Sequence, residues 1–242
     1  ILDGGVKICS LDDLLSPEMD NAVAITFDDG MRSVYENALP ILKDGNVPSH
    51  LYLTTGVVGR TNNWPTQPTG APAFDMMNWQ ELEACVDAGM KIESHTVSHP
   101  NLCQLGQQQI EEECETADLS IEKQFGRRPE HFAYPYGIYD ARVADIVGHR
   151  YQTCVTTSLL PLGKKLKAAE LPRLVGTIVT FSPLLQVATC GYVMGCGFFE
   201  VCFKQILNIL DAGTSRHVVA SPNIVVVKSR KDQQFHRKTR CY

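Results

Sequence analysis

The sequence predicts an α/β protein of parallel β/α units, closed as a barrel or spread as a doubly wound sheet. Two observations carry this. Short β-rich runs alternate with helical patterns from residue 22 to about residue 176, joined by short connections. The 242 residues also give room for several such units, as one large domain or two small ones. In either architecture, ligands belong at the carboxyl ends of the strands.

The elements follow in order. "AVAITF" (22–27) reads as a strand, and "SVYENALPILKDGN" (33–46) has helical spacing at Val34, Leu39 and Leu42. Pro40 bends that helix or marks a boundary, and Gly45-Asn46 stops it. "SHLYLTT" (49–55) is a second strand, followed at 59–75 by a surface loop rich in Pro, Gly, Thr and Asn. "NWQELEACVDAGM" (78–90) is a helix with Asn78 as cap, Glu81 at the capping-box position and Gly89 as stop. "KIES" (91–94) is a third strand. A longer helix over about 107–125 carries Ile110, Cys114, Ala117, Leu119, Ile121 and Phe125 among many glutamates and glutamines, and ends at Gly126. "HFAY" (131–134) and "YQTCVTT" (151–157) are strands separated by a helix from near Asp140, and "ELPRLVG" (170–176) is another strand. Beyond about residue 180 the alternation fades, with "NIVVVKSR" (223–230) the plausible last strand.

The bulk numbers exclude little but weigh consistently. A composition 44% hydrophobic and 20% charged is that of a soluble globular protein, and a net charge of −5 gives no reason to expect nucleic acid. The basic run at 228–240 reads as a solvated tail. The nine cysteines are odd in number and contain no CxxC pair, which argues against a zinc knuckle and suggests no disulfide framework. Most read as small core hydrophobes, and the redox compartment stays open. Residues 174–199 carry no charge, yet Pro183, Gln186 and three glycines interrupt them, so no membrane span is expected. The chain starts at Ile1 without a leader, consistent with a removed targeting segment or a fragment.

The strand ends hold the chemistry. Asp28 and Asp29 follow the first strand, "HTVSHPNL" with His95 and His99 follows the third, and "PYGIYD" follows the strand at 131–134. Taken singly, Asp-Asp-Gly is an ordinary turn and His-x3-His an ordinary coincidence. Jointly, three units deliver polar groups to one face. Histidines at i and i+4 lie on one side of a helical turn, and one carboxylate completes a three-ligand divalent metal site with open positions. The second aspartate is then free to act as a base. A divalent cation brings the pKa of water from about 15.7 towards ~7, within a carboxylate's reach. It also removes the repulsion between adjacent aspartates.

"TFDDG" (26–30), "SHTVSHPNL" (94–102) and "FAYPYGIYD" (132–140) together resemble the polysaccharide deacetylase family, carbohydrate esterase family 4, over about residues 20–175. "YPYG" is similar to the branch that includes bacterial exopolysaccharide deacetylases. The resemblance implies an irregular (β/α)7-type barrel that removes N-acetyl, occasionally O-acetyl, groups from sugar polymers with a divalent metal, commonly Zn2+. It implies Asp29, His95 and His99 as metal ligands and Asp28 as general base. Tyr136 would offer its backbone N–H to the oxyanion, with Pro135 and Gly137 fixing its loop and Thr96 buttressing the histidine loop. Trp64, Phe74, Trp79 and Tyr139 are candidates to stack on sugar rings, with Trp79 equally readable as core. An exported location is implied in the same way; oligomeric state is not.

Two departures qualify the resemblance. Many relatives carry an arginine at the head of the third motif that pairs with the base; here the stretch reads "HFAYPYG", and Arg173 in "LPR" is the candidate substitute. The family's closing Leu-x-His motif, whose histidine protonates the leaving amine, has no counterpart: the last strand offers Lys228, and His217 and His236 lie in no matching motif. Loss of such an acid costs about 10²–10⁴-fold. The organisation expected is an N-terminal extension over 1–21, the catalytic domain over 22–180, and a C-terminal completion or divergent tail over 181–242. The alternatives are an acetyl-ester hydrolase of the acetylxylan type with the same site, and a carbohydrate-binding module that lacks the final acid.

Overall fold

The computed structural model describes residues 7–19, 22–158, 162, 167–175 and 223–228. Its strands are β1 (Lys7–Ile8), β2 (Ala22–Asp29), β3 (Ser49–Leu53), β4 (Met90–Ser94), β5 (His131–Ala133), β6 (Thr153–Val155), β7 (Leu174–Val175) and β8 (Asn223–Lys228). Its helices are α1 (Leu11–Leu15), α2 (Leu39–Asp44), α3 (Trp79–Asp87), α4 (Gln107–Phe125) and α5 (Ala141–Gly148). Strands β2 to β6 pair in sequence order, all parallel, with Asp28 opposite Tyr52 and Tyr52 opposite Glu93. This is an α/β fold of the irregular (β/α)7-barrel type. The sheet curls round through Leu171, which bridges Val155 of β6 in parallel and leads within three residues into β7. β7 then pairs with β8, and β8 with β2.

One strand departs from the parallel pattern. β8 runs antiparallel to both β2 and β7. The residues expected to form a tail at 229–240, His217, His236 and most of the uncharged stretch 174–199 lie outside the described residues. No helix among the described residues is long and apolar enough to cross a membrane.

Alternation along the strands sorts two layers. Ile25 and Phe27 of β2, Leu51 and Leu53 of β3 and Ile92 of β4 point outward and pack with Leu82 and Cys85 of α3 and Leu39 and Leu42 of α2. Phe132 and Cys154 pack outward against Ile110 and Cys114 of α4 and Val143 and Val147 of α5. The other face points inward: Ala22, Ala24, Tyr52, Ala133 and Val155 meet Leu11 and Leu14 of α1, Leu162 and Leu171. Burying each of those α1 leucines contributes about 1.5–3 kcal/mol. The segment before residue 22, read from sequence as an extension, thus supplies strand β1 and a plug for the barrel floor.

Local signals explain the helix ends. Asn78 accepts from the Glu81 N–H at 2.9 Å while Glu81 accepts from the Asn78 N–H at 2.9 Å, the expected capping box. Asp140 caps α5 through the Val143 N–H at 2.8 Å, and Gly126 ends α4 at φ 73°. Pro40 sits at the start of α2, after a wide π-type turn over Val34–Ala38. Proline has no N–H to return to the preceding turn and crowds its carbonyl, which favours the wider turn. Cys9, Cys85, Cys114 and Cys154 are buried. Burial pushes Cys85, Cys114 and Cys154 up to about 12, which keeps them as inert packing groups.

Candidate metal centre

The carboxyl end of the barrel collects the residues singled out in the sequence. Asp28 and Asp29 are the last two residues of β2, so the strand extends through both. Asp28 continues the inward alternation of Ala24 and Thr26. Asp29 takes φ 70°, and this left-handed residue ends the regular alternation. Gly30 follows at φ 94° with its Cα so close to Leu53 that an added Cβ would lie 2.6 Å from Cδ1.

His95 and His99 follow β4, but not on a helical turn as their spacing predicts. Thr96 (φ 67°) and His99 (φ 52°) are both left-handed, and Pro100 disfavours the helical region for His99. The loop is held instead by named bonds. Thr96 Oγ1 accepts from the His99 N–H at 3.1 Å. Glu113 of α4 accepts from the Val97 and Ser98 N–H groups at 2.9 Å each and from the Ser98 hydroxyl at 2.6 Å. Thr66 donates to the His99 carbonyl at 2.8 Å. Glu113 and Thr66 were not singled out in the sequence; one lies within a run of glutamates and glutamines, the other in a loop without a motif. Four of the five non-glycine residues at positive φ among the described residues (Asp29, Thr96, His99 and Tyr136) belong to this site. Backbone strain of about 1–3 kcal/mol per residue persists only where surroundings over-determine it.

Asp29 Oδ1 lies 3.3 Å from His95 Nε2 and 3.5 Å from His99 Nε2. His95 Nδ1 is 2.7 Å from the Ala133 carbonyl, which can only accept, so the proton of the neutral ring sits on Nδ1. Its Nε2 then turns a lone pair towards a carboxylate that is itself only an acceptor. A proton on Nε2 or a divalent cation between the two groups would satisfy both. Tetrahedral ligands at zinc bond lengths of about 2.0–2.2 Å lie about 3.4 Å apart, which matches both separations. The donor set of one carboxylate and two imidazoles, all buried and within 4.8 Å of one another, fits a divalent cation. Burial alone would lower His95, but the Asp29 hydrogen bond and the charges of Asp28 and Asp29 raise it instead. His99 is pushed down to about 3, by burial and by the neighbouring His95.

Arg173 lies against Asp28. It is fully buried, and its two terminal nitrogens reach the two carboxylate oxygens at 2.8 Å each. Its Nε donates to the Thr156 carbonyl at 2.9 Å, and the guanidinium carbon lies 5.4 Å from the centre of the Tyr52 ring. A bidentate pair of this kind fixes the carboxylate plane as well as its charge.

Tyr136 sits at φ 59° in the turn Pro135–Gly137, with Pro135 buried. An added Cβ at Gly137 would meet the Thr157 hydroxyl at 2.1 Å, so only glycine fits. The Tyr136 ring stands edge-on to His99, centroids 4.4 Å apart, and remains 38% exposed. The aromatic residues considered as sugar platforms fall elsewhere. Trp64 is buried with Met31, Val57 and Met76, its ring 4.3 Å from His99. Phe74 packs on the same cluster, Trp79 packs on Phe125, and Tyr139 stacks on Tyr134. Buried indoles do not offer an open face to a ligand.

With strand ends, acidic pair and histidine loop in this arrangement, the class is that of a barrel hydrolase scaffold with a candidate metal site. The chain belongs to the polysaccharide deacetylase family, whose sequence profile matches residues 16–152, more than half of it. It is 31% identical over 126 residues to the poly-beta-1,6-N-acetyl-D-glucosamine N-deacetylase of Staphylococcus aureus (strain MRSA252), covering 48% of this chain and 41% of that protein. The chain therefore spans less than half the length of that curated relative. The Streptococcus pyogenes deacetylase PplD, solved in complex with acetate, superposes with a TM-score of 0.60 at 25% identity, over 71% of this chain and 74% of that one. IcaB from Ammonifex degensii shares the fold with a TM-score of 0.64 at 20% identity, over 80% and 84% of the two chains.

Proposed function

We propose that this chain is a metal-dependent hydrolase that removes N-acetyl groups from an N-acetylglucosamine-containing polysaccharide. The observation that carries the proposal is the convergence of one carboxylate and two imidazoles at Asp29, His95 and His99, with the Arg173-clamped Asp28 next in the chain to Asp29. In this reading Asp29, His95 and His99 hold the cation, with zinc the first candidate. A bound divalent cation supplies Lewis-acid polarisation of the acetyl carbonyl and acidifies water.

The chain's own residues then divide the remaining work. Asp28 takes a proton from the attacking water, and Arg173 keeps that carboxylate oriented through its bidentate pair. The Tyr136 turn, rigid at positive φ, offers its backbone N–H where negative charge grows on the carbonyl oxygen. The water oxygen bonds to the acetyl carbon, the C–N bond breaks, and the amine nitrogen takes up a proton, releasing acetate. The absence of a Leu-x-His sequence around Asn223–Lys228 favours, as a second reading, acetyl-ester substrates of the acetylxylan type.

Acetate release separates these readings. The purified chain is assayed on β-1,6-linked N-acetylglucosamine oligomers, chito-oligosaccharides and acetylxylan fragments, with and without chelator. Release from the N-acetylated oligomers, stopped by chelation, restored by zinc and absent in Asp29→Ala, is expected. Release that survives chelation or Asp29→Ala overturns the metal-dependent reading. Release from acetylxylan alone selects the ester reading. A bound metal without any release selects a binding module.

A further inference from the structure

We propose that Trp64 is a positioning residue of the metal centre, which holds the His99 ring by its face and ties that ring to Tyr136. The inference rests on the reading of His99 as a metal ligand.

A metal-binding histidine ordinarily donates its second ring N–H to an acceptor that fixes its orientation. His95 does so, through Nδ1 and the Ala133 carbonyl at 2.7 Å. His99 does not: its Nδ1 is buried and has no hydrogen-bond partner among the described residues. Another restraint has to set that ring. Three aromatic rings surround it, with Trp64 at 4.3 Å and tilted by 34°, Tyr136 at 4.4 Å and edge-on, and His95 at 4.8 Å and edge-on. Trp64 is the closest and the only one of the three that lies nearer parallel than perpendicular.

Trp64 is itself fixed from two sides. Its apolar edge packs on Met31, Val57 and Met76, and its Nε1–H donates to the Tyr136 hydroxyl at 2.9 Å. Two residues on, Thr66 donates to the His99 carbonyl at 2.8 Å, and its hydroxyl lies 3.0 Å from the Tyr136 hydroxyl, which also donates to the Thr66 carbonyl at 3.2 Å. One stretch of the long loop therefore grips His99 from its ring and its carbonyl, and holds Tyr136 from its hydroxyl. The two residues it joins both sit at positive φ. The loop between β3 and α3 acts here as the part of the site that replaces the missing acceptor on His99 Nδ1, rather than as a sugar platform.

The test is cobalt(II) and zinc(II) affinity, measured by chelator competition, together with the cobalt absorption spectrum, on folded protein checked by circular dichroism. Asp29→Ala is expected to abolish binding. Trp64→Ala is expected to weaken binding about 10–100-fold, the usual cost of losing an orienting partner, with a changed cobalt spectrum. Trp64→Phe keeps an aromatic face and is expected to restore most of the affinity. Thr66→Val, which removes the hydroxyl at the His99 carbonyl, is expected to weaken binding less than Trp64→Ala and carries the test if that variant does not fold. Folded Trp64→Ala with unchanged affinity and spectrum, or unchanged binding in Thr66→Val where Trp64→Ala is unfolded, overturns the proposal. Unchanged binding in Asp29→Ala would instead overturn the metal reading beneath it.

Discussion

Among the described residues, imidazoles and carboxylates gather at two places in the barrel, and the two differ in the charges that surround them. At the carboxyl end stand Asp29, His95 and His99; towards the floor stand His50 of β3, Glu93 of β4 and His131 of β5, with Asp12 of α1 beside them. Both triads are buried and both hold their donor atoms within 4.8 Å. Each end has one buried imidazole nitrogen without a hydrogen-bond partner among the described residues, His50 Nδ1 on the floor and His99 Nδ1 opposite, but the floor carboxylate is heavily paired. Glu93 accepts from the N–H groups of Glu130 and His131 at 2.9 and 3.1 Å and from the Arg127 guanidinium at 2.9 Å. His131 meets Thr153 at 2.8 Å and Asp12 at 3.0 Å. His50 Nε2 accepts from the Leu11 N–H at 3.0 Å, which leaves its proton on Nδ1, 3.4 Å from Glu93. That set already contains its cation, Arg127, and repels another. At the opposite end Asp29 lies 3.3 and 3.5 Å from the two imidazoles, with Asp29 and His99 on left-handed backbone.

The largest effect that sharpens this contrast is on turnover. Asp28→Asn removes the proposed base and is expected to lower acetate release about 10²–10⁴-fold with metal content unchanged. Arg173→Ala is expected to lower it as well, also with metal retained, and to cost about 3–5 kcal/mol of stability because it strands a buried carboxylate. Turnover assays with metal analysis and denaturant melts check both. If Asp28→Asn empties the centre of metal, the division of labour between the two aspartates is wrong.

At the floor, Glu93→Gln is expected to cost about 3 kcal/mol, the lower end for breaking a buried pair because Arg127 keeps access to water. Metal affinity is expected to stay as it was. Burial would raise the Glu93 carboxyl, but His50 and the charges of Arg127 and His131 hold it down to about 2 from 4.5. A depressed carboxyl stabilises the fold fully above its unfolded value and loses that contribution as pH falls from about 4.5 towards 2. The wild-type denaturation midpoint is therefore expected to drop more steeply through that window than that of Glu93→Gln. Parallel slopes would break the contrast.

The smallest effect concerns the histidine loop. Glu113→Gln keeps one carbonyl acceptor for the three donors of Val97 and Ser98 and is expected to weaken metal binding by up to about tenfold, without altering the pH slope assigned to Glu93. Unchanged affinity would show that the loop holds its shape without Glu113.

The two ends were unequally legible in the sequence. Asp28, Asp29, His95 and His99 stand in short motifs directly after β-rich runs, so the carboxyl end could be assembled from order and spacing. Arg173 was accessible only through the family resemblance, as a stand-in for the arginine missing from "HFAYPYG", in an "LPR" that follows a late strand. The floor was not legible. His50, Glu93 and His131 are single polar residues inside strands, and α1 is only five residues long, too short for a periodic signal. The i, i+4 rule misplaced the histidines on a helix because it carries no information about left-handed residues at 96 and 99. Trp64 was read as a sugar platform because a tryptophan in a Pro- and Gly-rich loop resembles a surface residue until tertiary packing buries it.

Metal stoichiometry, measured by elemental analysis on zinc-loaded, desalted protein, separates the two ends in one experiment. One zinc per chain is expected in the wild type and in Glu93→Gln, and none in Asp29→Ala. Zinc retained in Asp29→Ala and lost in Glu93→Gln would contradict the assignment of the metal to the carboxyl end of the barrel.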